Sequence, residues 1–470
     1  MRVRVVRRGA LLSLVAAWGA WAQGPPIDWT AQQAETLDRF RALVQIDSSS
    51  PAGNETKVVD YLKSVFAEAG IPTQIFAQDP ARANLVARIP GNGKKRPVLL
   101  LAHTDVVAVQ REKWPMDPFA AIMKDGYIWG RGTTDDKDKL VSNLMLMLLL
   151  KRSGVTLDRD IIFLAESGEE SATEFGIDFM VAKHFDAIDA EFALTEGGSV
   201  TIEGGKVTAV TVSTTEKLPR RARLVATGTS GHGSIPRLDN AVVNLSAAVA
   251  KVAAWETPLS LNETTRAYFE RLAAISPPAR AGRYQALLNP KHPASVERYL
   301  AANEPQRYSM LRTSISPTII KGGFQSNVIP SEAEATLDIR MTPGEDAGKF
   351  FEAMARVIDD PSVKVVPNST ANRPPGLPSG LNTDMFRALE AVSKRMYPDA
   401  ATLPMMMTGA TDMAQLRAKG MQCYGIGPES TDEEFAAHGW HSDVERATAL
   451  SVYKLAEFTW NAVMAVAAPK

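Results

Sequence analysis

The segment Leu99-Leu100-Leu101-Ala102-His103-Thr104-Asp105 is an unbroken apolar run that ends in a histidine and, two residues on, an aspartate. A short run without polar alternation reads as a strand covered on both faces, the habit of parallel strands in α/β proteins. Comparable runs follow at residues 161–165, 192–195 and 421–426, with helical spacing of apolar residues at 139–152 and 382–396. Two more helical segments, 31–44 and 55–69, precede the first strand, and Gly70-Ile71-Pro72 stops the second of them. The expected fold is therefore a mixed, mostly parallel α/β sheet with flanking helices.

That rhythm is broken between about residues 217 and 370. The order there is strand 222–227, helix 241–255, strands 314–321 and 332–340, helix 346–358 and strand 363–366. This is the βαββαβ order of a ferredoxin-like α+β unit. Residues 256–311, rich in Ala, Arg and Pro, interrupt it and are expected to be helical, since so long a plain connection is uncommon. The expected organisation is a discontinuous catalytic unit, residues 27–216 and 371–470, with a smaller unit inserted at 217–370.

The 470 residues are 45% hydrophobic and 22% charged, with 52 Lys plus Arg against 53 Asp plus Glu. Nothing in that balance points to nucleic acid or an acidic membrane surface as a partner. Residues 1–22 differ from the rest: Arg2, Arg4, Arg7 and Arg8 precede the apolar run 11–18, and Ala20-Trp21-Ala22 follows it. This pattern reads as a signal peptide cleaved before Gln23, which makes the protein an exported, periplasmic or secreted one with no membrane segment after cleavage. Cys423 is the single cysteine, so the exported chain gains no stability from an internal disulfide.

Chemistry collects at the ends of the expected strands. His103 closes the first, and a neutral imidazole at the carboxyl end of a parallel strand is well placed to hold Zn²⁺. Alone it reads equally well as a histidine satisfied at a strand end. Gly130-Arg131-Gly132-Thr133-Thr134-Asp135-Asp136-Lys137-Asp138 is by itself a glycine turn with an acidic helix start. Glu166-Ser167-Gly168-Glu169-Glu170-Ser171 crowds three carboxylates that raise one another's cost of ionisation unless a cation compensates. Strand 192–195 ends at Glu196, and the C-terminal stretch carries His438, His441 and Glu445, in a chain with six histidines altogether. Convergence on strand ends is what favours a metal site over the separate bland readings.

Taken in order, these motifs resemble the zinc metallopeptidase family that includes glutamate carboxypeptidase, carnosine dipeptidase, carboxypeptidase S, aminoacylase, acetylornithine deacetylase and succinyl-diaminopimelate desuccinylase. The resemblance implies His103, Asp135, Glu170, Glu196 and His441 as ligands of two Zn²⁺ ions, with Co²⁺ or Mn²⁺ able to substitute. It implies Asp105 as the aspartate that orients His103, Asp135 as the bridging ligand joined to Asp136 by a cis peptide, and Glu169 as the general base. His441, four residues before Glu445, fits the last ligand better than His438. In the inserted unit, His232 of Gly231-His232-Gly233-Ser234-Ile235-Pro236 would stabilise the oxyanion, while Asn327 and Arg340 would hold substrate. Gly409 of Thr408-Gly409-Ala410-Thr411-Asp412 matches a substrate-binding loop. The glycine usual after Asp-Asp-Lys is Asp138 here.

The function expected from the resemblance is hydrolysis of an amide beside a free carboxylate, by a carboxypeptidase or dipeptidase. Its substrate would be a small peptide or, in a second reading, an N-acyl amino acid, and the inserted unit would serve as a lid and as the surface of a homodimer. A zinc-dependent peptide-binding protein without catalysis is a third reading. Glu169 argues against it, because a pure binder has no use for a general base.

Overall fold

A computed structural model describes residues 26–368 and 373–469. The expected signal peptide lies outside these residues. The main sheet is mixed, and its centre is four parallel strands in the order Ile161–Glu166, Val98–His103, Phe192–Thr195, Gln422–Gly425. Antiparallel strands Ala83–Ile89 and Thr73–Ala77 extend one side. On the other side the long strand Lys206–Glu216 pairs with Ser199–Glu203 and, in parallel, with Ala401–Met407.

The leucine run of the first strand is explained by burial on both faces. Val98, Leu100 and Ala102 point into one core with the helices Trp29–Val44, Lys137–Ser153 and Ala449–Ala467, while Leu99 and Leu101 point into a second core with Ile177, Met180 and Leu416. Side chains alternate along a strand, so a continuous apolar run is required when both faces are covered. Helix Lys137–Ser153 is buried along nearly its whole length and begins just past the site; Asp138 takes ordinary helical backbone there, so the position does not need glycine.

Residues 218–367 form their own four-stranded antiparallel sheet, ordered Ser314–Gly322, Glu332–Met341, Leu218–Thr227, Val363–Pro367. Helices Ala241–Ala254 and Ala347–Ile358 pack on it around a separate core that includes Leu224, Leu245, Leu337 and Met354. The order is that of a ferredoxin-like unit. Its outer strand Ser314–Gly322 is largely exposed, with Ile319, Ile320 and the following Phe324 facing solvent.

Between helix Ala241–Ala254 and strand Ser314–Gly322 the chain makes four helices, Glu263–Ile275, Pro278–Leu287, Ala294–Asn303 and Pro305–Ser309. They do not fold back on the small sheet. Phe269, Tyr284, Leu287 and Leu300 pack instead with Ala209, Leu403 and Met406 of the main sheet. Arg271 donates to the carbonyl of Thr402 at 2.9 Å, anchoring the first of these helices to that sheet's side strand. Among the described residues no helix is long and apolar enough to cross a membrane.

Candidate metal centre

Three neighbouring parallel strands end at His103, Glu166 and Thr195, and the loops beyond them carry Glu169, Glu170 and Glu196. His103 is buried. Its Nδ1 lies 2.9 Å from the main-chain oxygen of Asp105, which can only accept, and its Nε2 lies 2.9 Å from Asp135 Oδ1. Both ring nitrogens therefore face acceptors, so each is placed to donate a proton. The place of the Nε2 proton is one that a cation can take.

Asp105 does more than sit beside the imidazole. Its carboxylate is 3.5 Å from Nδ1, whereas its shorter bonds come from the main-chain N–H groups of Gly168 at 3.0 Å, Glu169 at 3.1 Å and Glu170 at 3.2 Å. One carboxylate thus fixes the loop that carries both site glutamates to the strand that carries His103.

Asp135 stands between two histidines. Its Oδ2 is 3.3 Å from His441 Nε2, which is also 3.1 Å from Glu170 Oε1. The Asp135–Asp136 peptide is cis. His441 has φ 62°, a left-handed conformation costly for a residue with a Cβ. Its loop is held by Arg131, which donates to the His441 carbonyl at 3.3 Å, and by Trp440, whose indole N–H donates to the Thr134 carbonyl at 3.1 Å. Ligand-type atoms of His103, Asp135 and Glu170 lie within 4.8 Å of one another, and so do those of His103, Glu169 and Glu196.

Burial and closely set charges govern the electrostatics of the cluster. Burial would push His103 down, but its bonds to Asp105 and Asp135 hold it well above the usual imidazole value. His441 is raised to about 10 by Asp135 and Glu170. Burial raises Glu169 to about 8 against the opposing charge of Arg373, and burial with the nearby Asp135 charge raises Glu170 and Glu196. Imidazoles and carboxylates packed this closely fit a divalent cation of the zinc type, which would relieve the repulsion and replace the histidine protons.

Behind the cluster, Glu445 accepts bonds from Arg131, from the N–H groups of Gly132 and Thr134, and from the Thr134 hydroxyl. It closes the turn that delivers Asp135. Arg373 bonds Glu169 and Asp412. The sequence gives no sign of it, because the Asn-Arg-Pro-Pro stretch around Arg373 has neither periodicity nor a site motif.

The structure brings together His103, Asp105, Asp135, Glu169, Glu170, Glu196 and His441. It does not bring His232, Asn327, Arg340 or Gly409 into hydrogen bonds or ion pairs with them among the described residues. His232 is exposed and its Nδ1 faces the Ser234 hydroxyl at 2.7 Å; the carbonyl of Asn327 accepts from the Gly233 N–H beside it at 2.7 Å. Arg340 closes a two-pronged bond on Asp338 at 2.9 and 3.1 Å. Gly409 lies just past the strand Ala401–Met407. His438 pairs with Glu434 at 3.4 Å and rests against Trp129, away from the cluster.

A doubly covered parallel sheet whose strand ends bring imidazoles and carboxylates together is suited to holding a divalent metal ion. More closely, the chain belongs to the Peptidase family M20/M25/M40, whose pattern matches residues 99–459. It is 31% identical over 326 residues to probable carboxypeptidase S-like 2 of Dictyostelium discoideum, covering 67% of this chain and 62% of that protein. It is 29% identical over 326 residues to the N-fatty-acyl-amino acid synthase/hydrolase PM20D1 of Homo sapiens, covering 67% and 64%. The alignments thus span just under two thirds of either relative. In fold it is similar to the M20 family metallo-carboxypeptidase Sso-CP2 of Sulfolobus solfataricus, with a TM-score of 0.70 and 18% identity over 92% of this chain and 99% of that one.

Proposed function

We propose that the protein binds two Zn²⁺ ions and hydrolyses an amide bond next to a free carboxylate, as a carboxypeptidase or dipeptidase. The observation that carries this reading is Asp135, placed between His103 and His441 with Glu170 beside it, while Glu196 and a further glutamate, Glu169, lie near His103. His103 and Glu196 would hold one ion, His441 and Glu170 the other, and Asp135 both. Bound there, the ions would supply Lewis-acid activation of a water and polarisation of the scissile carbonyl.

The remaining steps belong to the chain. Glu169 takes a proton from the attacking water and returns it to the leaving nitrogen, so that the C–N bond breaks to give a carboxylic acid and an amine. His232 supplies a donor to the oxyanion, and Arg340 exchanges Asp338 for the substrate carboxylate, whose planar shape suits a guanidinium fork. Both residues sit on the small unit, so substrate binding is coupled to its approach.

A second substrate class, N-acyl amino acids, is favoured by the likeness to a relative named for N-fatty-acyl-amino acids. Both classes present an amide beside a carboxylate. A screen of dipeptides, N-acyl amino acids and their amidated counterparts on zinc-loaded protein tests the proposal. Hydrolysis of free acids with little turnover of amides is expected, and equal turnover of both would overturn it.

Two further parts of this reading concern assembly and location. The exposed edge strand Ser314–Gly322, with Ile319 and Ile320, suits pairing with a second copy as a homodimer. The N-terminal sequence suits export to the periplasm or medium. Sedimentation velocity and N-terminal sequencing of the mature protein check them in turn.

A further inference from the structure

Glu169 lies in the loop between strand Ile161–Glu166 and helix Ile177–Lys183 and has a flexible side chain, yet the proposed reaction needs its carboxylate at one spot. Among the described residues its one side-chain partner is Arg373. Nη2 of Arg373 lies 2.6 Å from Glu169 Oε1 and 3.4 Å from the Glu169 main-chain oxygen, while Nη1 lies 3.1 Å from Asp412 Oδ1. The three side chains are 13%, 10% and 0% exposed. Arg373 is itself held, because its main-chain oxygen accepts a bond from Arg220 at 3.1 Å.

On the hydrolytic reading above, we infer that Arg373 is a positioning residue that fixes the Glu169 carboxylate over the metal cluster by bridging it to Asp412. A guanidinium that grips both the carboxylate and the main-chain oxygen of one residue defines that side chain relative to its own backbone. The second prong ties it to a different loop, 408–412, at the end of strand Ala401–Met407. With the fork in place, a Glu169 oxygen stays within 4.8 Å of a His103 ring nitrogen and a Glu196 oxygen. Lysine presents a compact point charge in place of a planar fork whose two nitrogens reach separate groups. Arg373 differs from Arg340 in being more enclosed, 13% against 34% exposed, and in joining two separate loops where Arg340 grips the single residue Asp338, so it is suited to holding protein and not substrate.

A misplacement of about 1 Å at a reacting group costs about 100-fold in rate. Arg373→Gln should therefore lower kcat by about 100-fold, with KM changed less than about threefold and metal content unchanged. Arg373→Lys keeps the charge without the fork and should recover part of the loss. A rise in KM at constant kcat, or a loss of bound metal that parallels the loss of kcat, overturns the assignment. A second measurement needs neither substrate nor metal: in urea, Arg373→Gln and Glu169→Gln should be clearly non-additive in unfolding midpoint, whereas additive effects overturn the pairing. Failure of the wild-type protein to cleave any peptide or N-acyl amino acid would instead remove the hydrolytic reading, and the double-mutant cycle would still decide whether Arg373 holds Glu169.

Discussion

Arg131 and Glu445 stand 314 positions apart in the chain and form a 2.6 Å ion pair whose side chains are 3% and 0% exposed. The pair joins the turn before Asp135 to the loop after His441, so two of the proposed ligands depend on it. Glu445→Ala would leave the Arg131 guanidinium buried without its carboxylate, at a cost of about 3–5 kcal/mol. Urea unfolding should show that drop, and metal analysis should show reduced metal content in whatever folds. Glu445→Gln keeps the shape and some acceptors and should lose less. A Glu445→Ala protein with wild-type stability would mean that the pair does not hold the turn.

The protonation of the metal-free site sets a pH dependence. His441 is raised to about 10 by its bonds to Asp135 and Glu170, and Glu169 is raised to about 8 by burial. A group raised on folding contributes stability present in full below its unfolded value and lost as pH rises through its folded value. For His441 that window runs from about 6.5 to about 10, and for Glu169 from about 4.5 to about 8. Asp135 is lowered and acts in the opposite sense, but only in acid. Metal must expel the same protons, so its affinity strengthens as pH rises. Thermal melts with chelator should thus fall in Tm between about pH 5 and about pH 9, while the increment from added Zn²⁺ grows. A zinc increment that shrinks with rising pH would contradict these protonation states.

Glu169 and Glu170 are neighbours with different assignments, and they should fail differently. Glu169→Gln should keep its metal and its fold yet lose at least about 100-fold in activity, the scale of a missing general base. Glu170→Gln removes one of the two carboxylates beside His441 and should lower metal content first, with activity following it. Metal analysis beside steady-state kinetics separates the two. Near-normal turnover in Glu169→Gln would show that another group takes the proton.

The sequence was most readable where chemistry sits on regular structure. His103, Glu169, Glu170 and Glu196 follow three short apolar strands, and the double burial that forces those runs to be apolar also points their ends at one place. The small sheet was readable on either side of the interruption at 256–311, where strand and helix segments follow the order of its fold. Strand Ala401–Met407 was not, because Pro404 and three methionines carry weak strand preference and its place is fixed by pairing with Lys206–Glu216, far off in sequence. Arg373 and the work of Glu445 were hidden likewise: a bond across hundreds of residues leaves no local period. Lys139 likewise carries no local sign of its surroundings: it is buried with its ammonium unpartnered among the described residues, lowered to about 8 by burial near Asp138, Asp136 and Glu196.

The helices at 263–309 leave the small unit's fold but bury their apolar faces on the main sheet, so they tie the two together. At one end Trp255 stacks on Phe350 of the small unit at 5.3 Å between ring centres; beyond it Phe269 is fully buried with Tyr284, Leu403 and Met406. At the other end Lys217, which joins the two sheets, donates to Ser309 at 2.9 Å and to Ser314 at 3.1 Å. If these contacts carry the connection, Phe269→Ala should cost about 3–5 kcal/mol, the usual range for emptying a buried aromatic site. Because Phe269 lies away from the metal cluster, the folded fraction should keep its metal and its kcat. The loss should therefore appear as a lower urea midpoint, with proteolysis first cutting within residues 256–311 as that segment detaches. Phe269→Leu, which fills most of the space, should lose clearly less. Loss of under about 1 kcal/mol in Phe269→Ala would mean that the helices rest on the main sheet without holding it.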